Sequence, residues 1–113
     1  RERITEADET QTILTSVFDR ANKLPWPAEF PGRALRNSFA ARWHGHEDEL
    51  LQNEEELARF RTGAEARDYD VTSIYAGQAV GLLSRRRTAQ EIVRDFGEGA
   101  ERHLREKLAK LLG

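Results

Sequence analysis

Cysteine is absent from the 113 residues, which removes disulfides, zinc thiolates and thiol nucleophiles together. Methionine is absent too and the chain opens on Arg1, so it reads as a trimmed or partial chain. No apolar run approaches the roughly 18–20 residues that span a bilayer, and no signal peptide is visible. A soluble, cytoplasmic chain is the resulting expectation. An excess of one charge is also missing. The 18 Lys and Arg stand against 20 Asp and Glu, so no global positive field would draw nucleic acid or an anionic membrane. All but three of the basic residues are arginine, a bias that a GC-rich genome would produce. Length excludes a further class, because closing a (β/α)₈ barrel takes about 200 residues at minimum.

What remains is one domain's worth of chain. With 38% hydrophobic and 34% charged residues it is polar for a globular protein, but not disordered. A chain of this size buries roughly two-thirds of its unfolded surface, enough for one small core.

Arg1–Glu9 is polar around Ile4 and Ala7 and reads as the last turns of a helix. Over Thr10–Phe18 the β-branched density of Ile13, Thr15 and Val17 suggests a strand or extended arm, with no obvious partner strand. All three prolines fall in Asn22–Gly32, which they bias toward an extended linker. Trp26 and Phe30 would fasten that linker to a surface.

Leu35, Phe39 and Trp43 recur every four residues, predicting a helix over Arg33–Trp43. Gly45 interrupts it. A second helix is expected over Glu47–Arg61, with Leu50, Leu57 and Phe60 on one stripe and Gly63 as its stop. Ala64–Thr72 reads as a polar loop and Ile74–Leu83 as a short apolar helix. Thr88 and Glu91 match a capping box. Beyond it Ile92, Phe96, Ala100, Leu104, Leu108 and Leu112 define a long last helix, in which Gly97 and Gly99 permit a bend.

The candidate chemistry is sparse. His44 and His46 lie at a glycine break, on nearly opposed faces if helical, so a solvated junction is favoured over a metal site. His103 is expected to be half-buried in packing. Arg85-Arg86-Arg87 reads as a solvated loop rather than a phosphate site, and Glu54-Glu55-Glu56 as a solvated helix face. Ala76-Gly77-Gln78-Ala79-Val80-Gly81 is the most informative segment. Glycines four apart in an apolar stretch suit the close approach of another backbone, or of a planar ligand with Gln78 offering an amide. No GxGxxG, P-loop or nucleophile elbow is present.

Three stretches together resemble the C-terminal third of nitronate monooxygenases, formerly 2-nitropropane dioxygenases. They are Asp8-Glu9-Thr10…Leu14-Thr15…Val17-Phe18-Asp19, then Trp26-Pro27-Ala28-Glu29-Phe30-Pro31-Gly32-Arg33-Ala34-Leu35-Arg36-Asn37-Ser38-Phe39, then Ala76-Gly77-Gln78-Ala79-Val80-Gly81-Leu82. The Gly-Arg-x-x-Arg-Asn-x-Phe and Ala-Gly-Gln-x-x-Gly runs are the more specific parts. The resemblance implies FMN-dependent oxidation of alkyl nitronates by O₂ in a (β/α)₈ barrel. Related members reduce quinones or enoyl thioesters.

The phosphate-binding loops and the proposed histidine base of such enzymes lie upstream of the matched region, so no catalytic residue is carried over. On the motif match Gly77 and Gln78, with Tyr75 beside them, are the cofactor-facing positions of the parent enzyme. The implied fold is a mainly α, helical C-terminal cap with one short extended arm. Residues 1–32 would form a helix end, arm and Pro-rich linker, and residues 33–113 the helical cap. The implied partners are the barrel portion of the same enzyme and, through it, a small nitronate. The expectation from a different class is a free-standing helical module that forms a homo-oligomer or binds another protein.

Overall fold

The computed structural model describes residues 2–113. The chain is mainly helical with one two-stranded antiparallel sheet. In order come α1 (Glu2–Thr5), a 3-10 turn (Glu9–Gln11), β1 (Thr12–Thr15), α2 (Val17–Ala21), β2 (Gly32–Leu35), α3 (Ser38–Trp43), α4 (Glu47–Leu51) and α5 (Glu54–Ala66). A second 3-10 turn (Gln78–Leu82) and the long α6 (Ala89–Leu112) complete it.

The extended arm does have a partner. β1 pairs with β2 in the register Thr12↔Leu35 to Thr15↔Gly32. Leu35 fits the four-residue stripe that predicts a helix from Arg33, which masks the strand character of Gly32–Leu35 in the sequence. Asn37 decides otherwise. Its backbone is extended and its side chain accepts from the Ala40 amide at 2.8 Å, so the helix begins only at Ser38. Leu35 is buried as expected, but from a strand.

The arm is also shorter than expected, since Val17 and Phe18 belong to α2. Asn53 acts like Asn37. Its Oδ1 accepts from the Glu56 amide at 3.1 Å, which divides the expected Glu47–Arg61 helix into α4 and α5. α5 continues past Gly63 and stops at Arg67, whose left-handed φ of 56° directs its amide back to the Ala64 carbonyl. Gly63 is instead a contact point. A Cβ there would lie 3.0 Å from Val71 Cβ, so the glycine lets the turn after α5 close onto the helix.

The core lies among α2, α3, α4 and α5. The rings of Phe18, Phe39 and Phe60 cluster with centroids 5.1–6.4 Å apart, and Leu50, Leu57, Val17 and Val71 close around them. Trp43 borders the cluster and donates its indole N–H to Glu56 at 3.1 Å. Glu56 is therefore a buried member of the acidic triplet expected to face solvent, held also by Arg42 and Arg59. One bonded indole and two guanidiniums make that burial tolerable.

The Pro-rich linker lies on no surface through its aromatics. Trp26 and Phe30 are both more than 60% exposed, and the Trp26 indole N–H donates to the Phe30 carbonyl, folding the linker on itself. α6 stands apart. Both legs of its capping box are made between Thr88 and Glu91, and it runs through Gly97 and Gly99 without interruption. It has no buried residue, and His103 is exposed rather than half-buried. With extents of 64 × 29 × 23 Å, the radius of gyration is 19.2 Å. A compact chain of this length would have about 13 Å.

Candidate functional site

The more specific Gly-Arg-x-x-Arg-Asn-x-Phe run supplies the sheet edge on which the lead-in to the Ala-Gly-Gln-x-x-Gly run lies. The expected apolar helix over Ile74–Leu83 does not form at its start, because Ile74–Ala76 is drawn into backbone pairing with the free edge of β2. The Leu35 amide donates to the Ile74 carbonyl at 2.8 Å, and the Ala76 amide to the Arg33 carbonyl at 3.2 Å, with Ala34 opposite Tyr75. An unpaired edge satisfied in this way outweighs the few helical bonds the segment could otherwise make.

Tyr75 crosses this edge. Its ring lies against Gly32, where a Cβ would come within 2.9 Å of Tyr75 Cε1. Its hydroxyl donates to Asp19 Oδ1 at 2.9 Å. Burial first, and the Asp19 bond and charge second, push the phenol up to about 12. Tyr75 is thus a neutral fastener between α2 and the sheet, a role its place beside the motif did not reveal.

Gly77 and Gln78 lie beyond it on open surface. A Cβ at Gly77 would meet nothing within 4 Å, so this glycine serves no close approach among the described residues. Gly81 does. A Cβ there would lie 3.2 Å from the Glu9 amide nitrogen, against the 3-10 turn that Asp8 caps. Of the two spaced glycines, one therefore packs backbone on backbone while the other is open.

Tyr75, Gly77 and Gln78 do not line the neighbouring groove. The groove nearest the motif runs, about 510 Å³, is lined instead by Leu35, Arg36, Asn37, Ser38, Tyr69 and Ile74, with Arg3 and Glu6 at its α1 side. Arg36 and Asn37 belong to the Gly-Arg-x-x-Arg-Asn-x-Phe run, and their adjacency to a polar serine was the available signal. Asn37 is already committed, since its amide donates to the Thr72 and Tyr69 carbonyls while its oxygen caps α3. Arg36 is exposed at the groove.

The histidines do not converge. His44 Nδ1 sits 3.0 Å from Thr15 Oγ1, and His46 Nδ1 sits 3.0 Å from Glu49. The Glu49 hydrogen bond, then its charge, raises the His46 imidazole above its ordinary value. Among the described residues no group of three or more His, Asp or Glu side chains is arranged to hold a metal ion. Arg85, Arg86 and Arg87 each reach a carboxylate, of Glu91, Glu2 and Asp95 respectively. No described helix is long and apolar enough to cross a membrane.

No protein-family model matches the chain, and no curated protein matches it either.

Proposed function

We propose that this chain is the C-terminal portion of an FMN-dependent, nitronate monooxygenase-like oxidoreductase, in which it covers a barrel that carries the flavin. The observation that supports this reading is that the first diagnostic run supplies the strand against which the start of the second is laid. Gly32–Leu35 and Ile74–Ala76, which leads into the second run, are about forty residues apart in sequence, yet they pair edge to edge and leave Gly77 and Gln78 on an open face. Such a face suits a wall that something else completes.

The residues present do not fit FMN by themselves. Gly77, Gln78 and Tyr75 do not line the groove beside them, and the Tyr75 hydroxyl is occupied by Asp19. Flavin chemistry needs the isoalloxazine positioned from several sides, so no step is assigned to this chain. Turnover belongs to the whole enzyme, and the 113 residues alone are inactive in this reading.

The visible spectrum of the purified chain mixed with FMN tests the second part. Free-flavin absorbance, fully removed by desalting, is the expected result. Stoichiometric retained FMN with nitronate turnover would overturn it. For the first part, the reading frame upstream of Arg1 should encode a strand followed by Gly-rich turns, and an unrelated helical domain there would refute the assignment. The exposed apolar side of α6 favours a second reading, a helical interaction module.

A further inference from the structure

We infer that α6 is a self-association helix that pairs antiparallel with α6 of a second copy of this chain. The inference does not depend on the flavoenzyme reading, which concerns the opposite, sheet-bearing part of the molecule.

The first observation is that α6 buries none of its residues against the rest of the described chain. Its 24 residues span about 36 Å at the standard helical rise, and none is buried. Ile92, Phe96, Leu104, Leu108 and Leu111 are all exposed. Helices in proteins draw most of their stability from packing of an apolar face. This face is left without that support, and two glycines in the middle third weaken the isolated helix further.

The second observation names the partner. Between Ala89 and Ala100 the charges are Glu91, Asp95 and Glu98 against Arg94, a formal net of −2. Between Glu101 and Leu112 they are Arg102, Arg105, Lys107 and Lys110 against Glu101 and Glu106, a formal net of +2 with His103 neutral. Two copies side by side in the same direction would set like charge on like charge. Reversing one copy sets each acidic half against a basic half, and charge matching of this kind selects orientation in helical pairs. A two-fold axis across the helix centre makes the surface complementary to itself.

The third observation lies at that centre. Gly97, Gly99 and Ala100 are where antiparallel copies would cross, and a Cβ at either glycine meets nothing within 4 Å among the described residues. Small residues there let two backbones approach closely, which gives the glycines a use that the single chain does not supply.

Sedimentation and light scattering of the full chain should report a concentration-dependent dimer. Leu104→Asp should leave a monomer whose Trp43 fluorescence is unchanged, because α6 contributes nothing to the core. K107E/K110E should weaken the dimer by about tenfold or more at low salt. Adding D95K/E98K, which swaps both halves, should restore it.

The cysteine-free background gives orientation directly. Ala89→Cys and Leu112→Cys chains should cross-link to each other when mixed, and neither to itself. Self-cross-linking of Ala89→Cys would overturn the antiparallel arrangement. A monomer at every concentration, including one that dimerises with nothing yet binds a separate barrel protein, would overturn self-association.

Discussion

The phenol of Tyr75 donates a 2.9 Å hydrogen bond to Oδ1 of Asp19, joining the sheet edge to α2 across 56 positions of sequence. The other carboxylate oxygen, Oδ2, is buried with no hydrogen-bond partner among the described residues. All of this carboxylate's side-chain bonding in the structure therefore comes from Tyr75.

Tyr75→Phe should cost about 1–3 kcal/mol, the range for leaving a buried polar group unsatisfied. Urea unfolding checks this, and a change near zero would show that water replaces the phenol. The pH dependence has a definite sign. A tyrosine raised from 10 to about 12 in the folded state favours the protonated form there. Its stabilising contribution is whole below pH 10 and is lost as pH rises toward 12. Tyrosinate absorbance should follow the same course, with Asp19→Asn moving the Tyr75 step back toward 10.

The Phe18–Phe39–Phe60 cluster should dominate stability. Phe39→Ala removes a ring packed 5.1 Å from Phe60 and 6.4 Å from Phe18, and should cost about 3–5 kcal/mol by calorimetry or denaturant. Trp43→Ala should cost a similar amount, since it also strips buried Glu56 of its indole donor. Phe96→Ala on α6 should change the unfolding of this core by no more than about 0.5 kcal/mol.

Asn37 performs two separable tasks. Asn37→Asp keeps an oxygen to cap α3 but loses the donor to the Thr72 and Tyr69 carbonyls. Asn37→Ala loses both. The alanine variant should be less stable than the aspartate by about 1 kcal/mol, the usual worth of a cap. Equal stabilities would mean that the cap contributes nothing.

Gly63 and Val71 should be coupled. Gly63→Ala places a methyl 3.0 Å from Val71 Cβ. The clash should destabilise by about 1–3 kcal/mol despite the better helix propensity of alanine. In a Val71→Ala background the same substitution should be neutral or stabilising, and a double-mutant cycle measures the difference. Additive effects would show that the turn after α5 simply moves away.

Much of the fold was legible because it rests on local rules. The Thr88–Glu91 capping box opens α6, the four-residue stripe placed Phe39 and Trp43 in the core, and Leu50, Leu57 and Phe60 share a buried side. At the two helix starts that the periodicity misplaced, an asparagine was the cause each time. Asn37 and Asn53 can each cap a helix or sit inside one, and the apolar stripe around them is the same in either case.

Of the candidate site, the motif residues were legible and their geometry was not. Gly77 and Gly81 look alike in sequence, yet only Gly81 meets a neighbouring backbone, because that contact depends on where Asp8 and Glu9 return in space. The strand partner of Thr12–Thr15, the burial of Glu56 and the Tyr75–Asp19 bond are likewise products of distant chain segments meeting. Sequence by itself determined the absences, the core aromatics and the long charged helix with its opposed halves. Tertiary structure alone decided which edge Tyr75 joins and that α6 stays bare, since pairing and burial are relations between segments that no local pattern encodes.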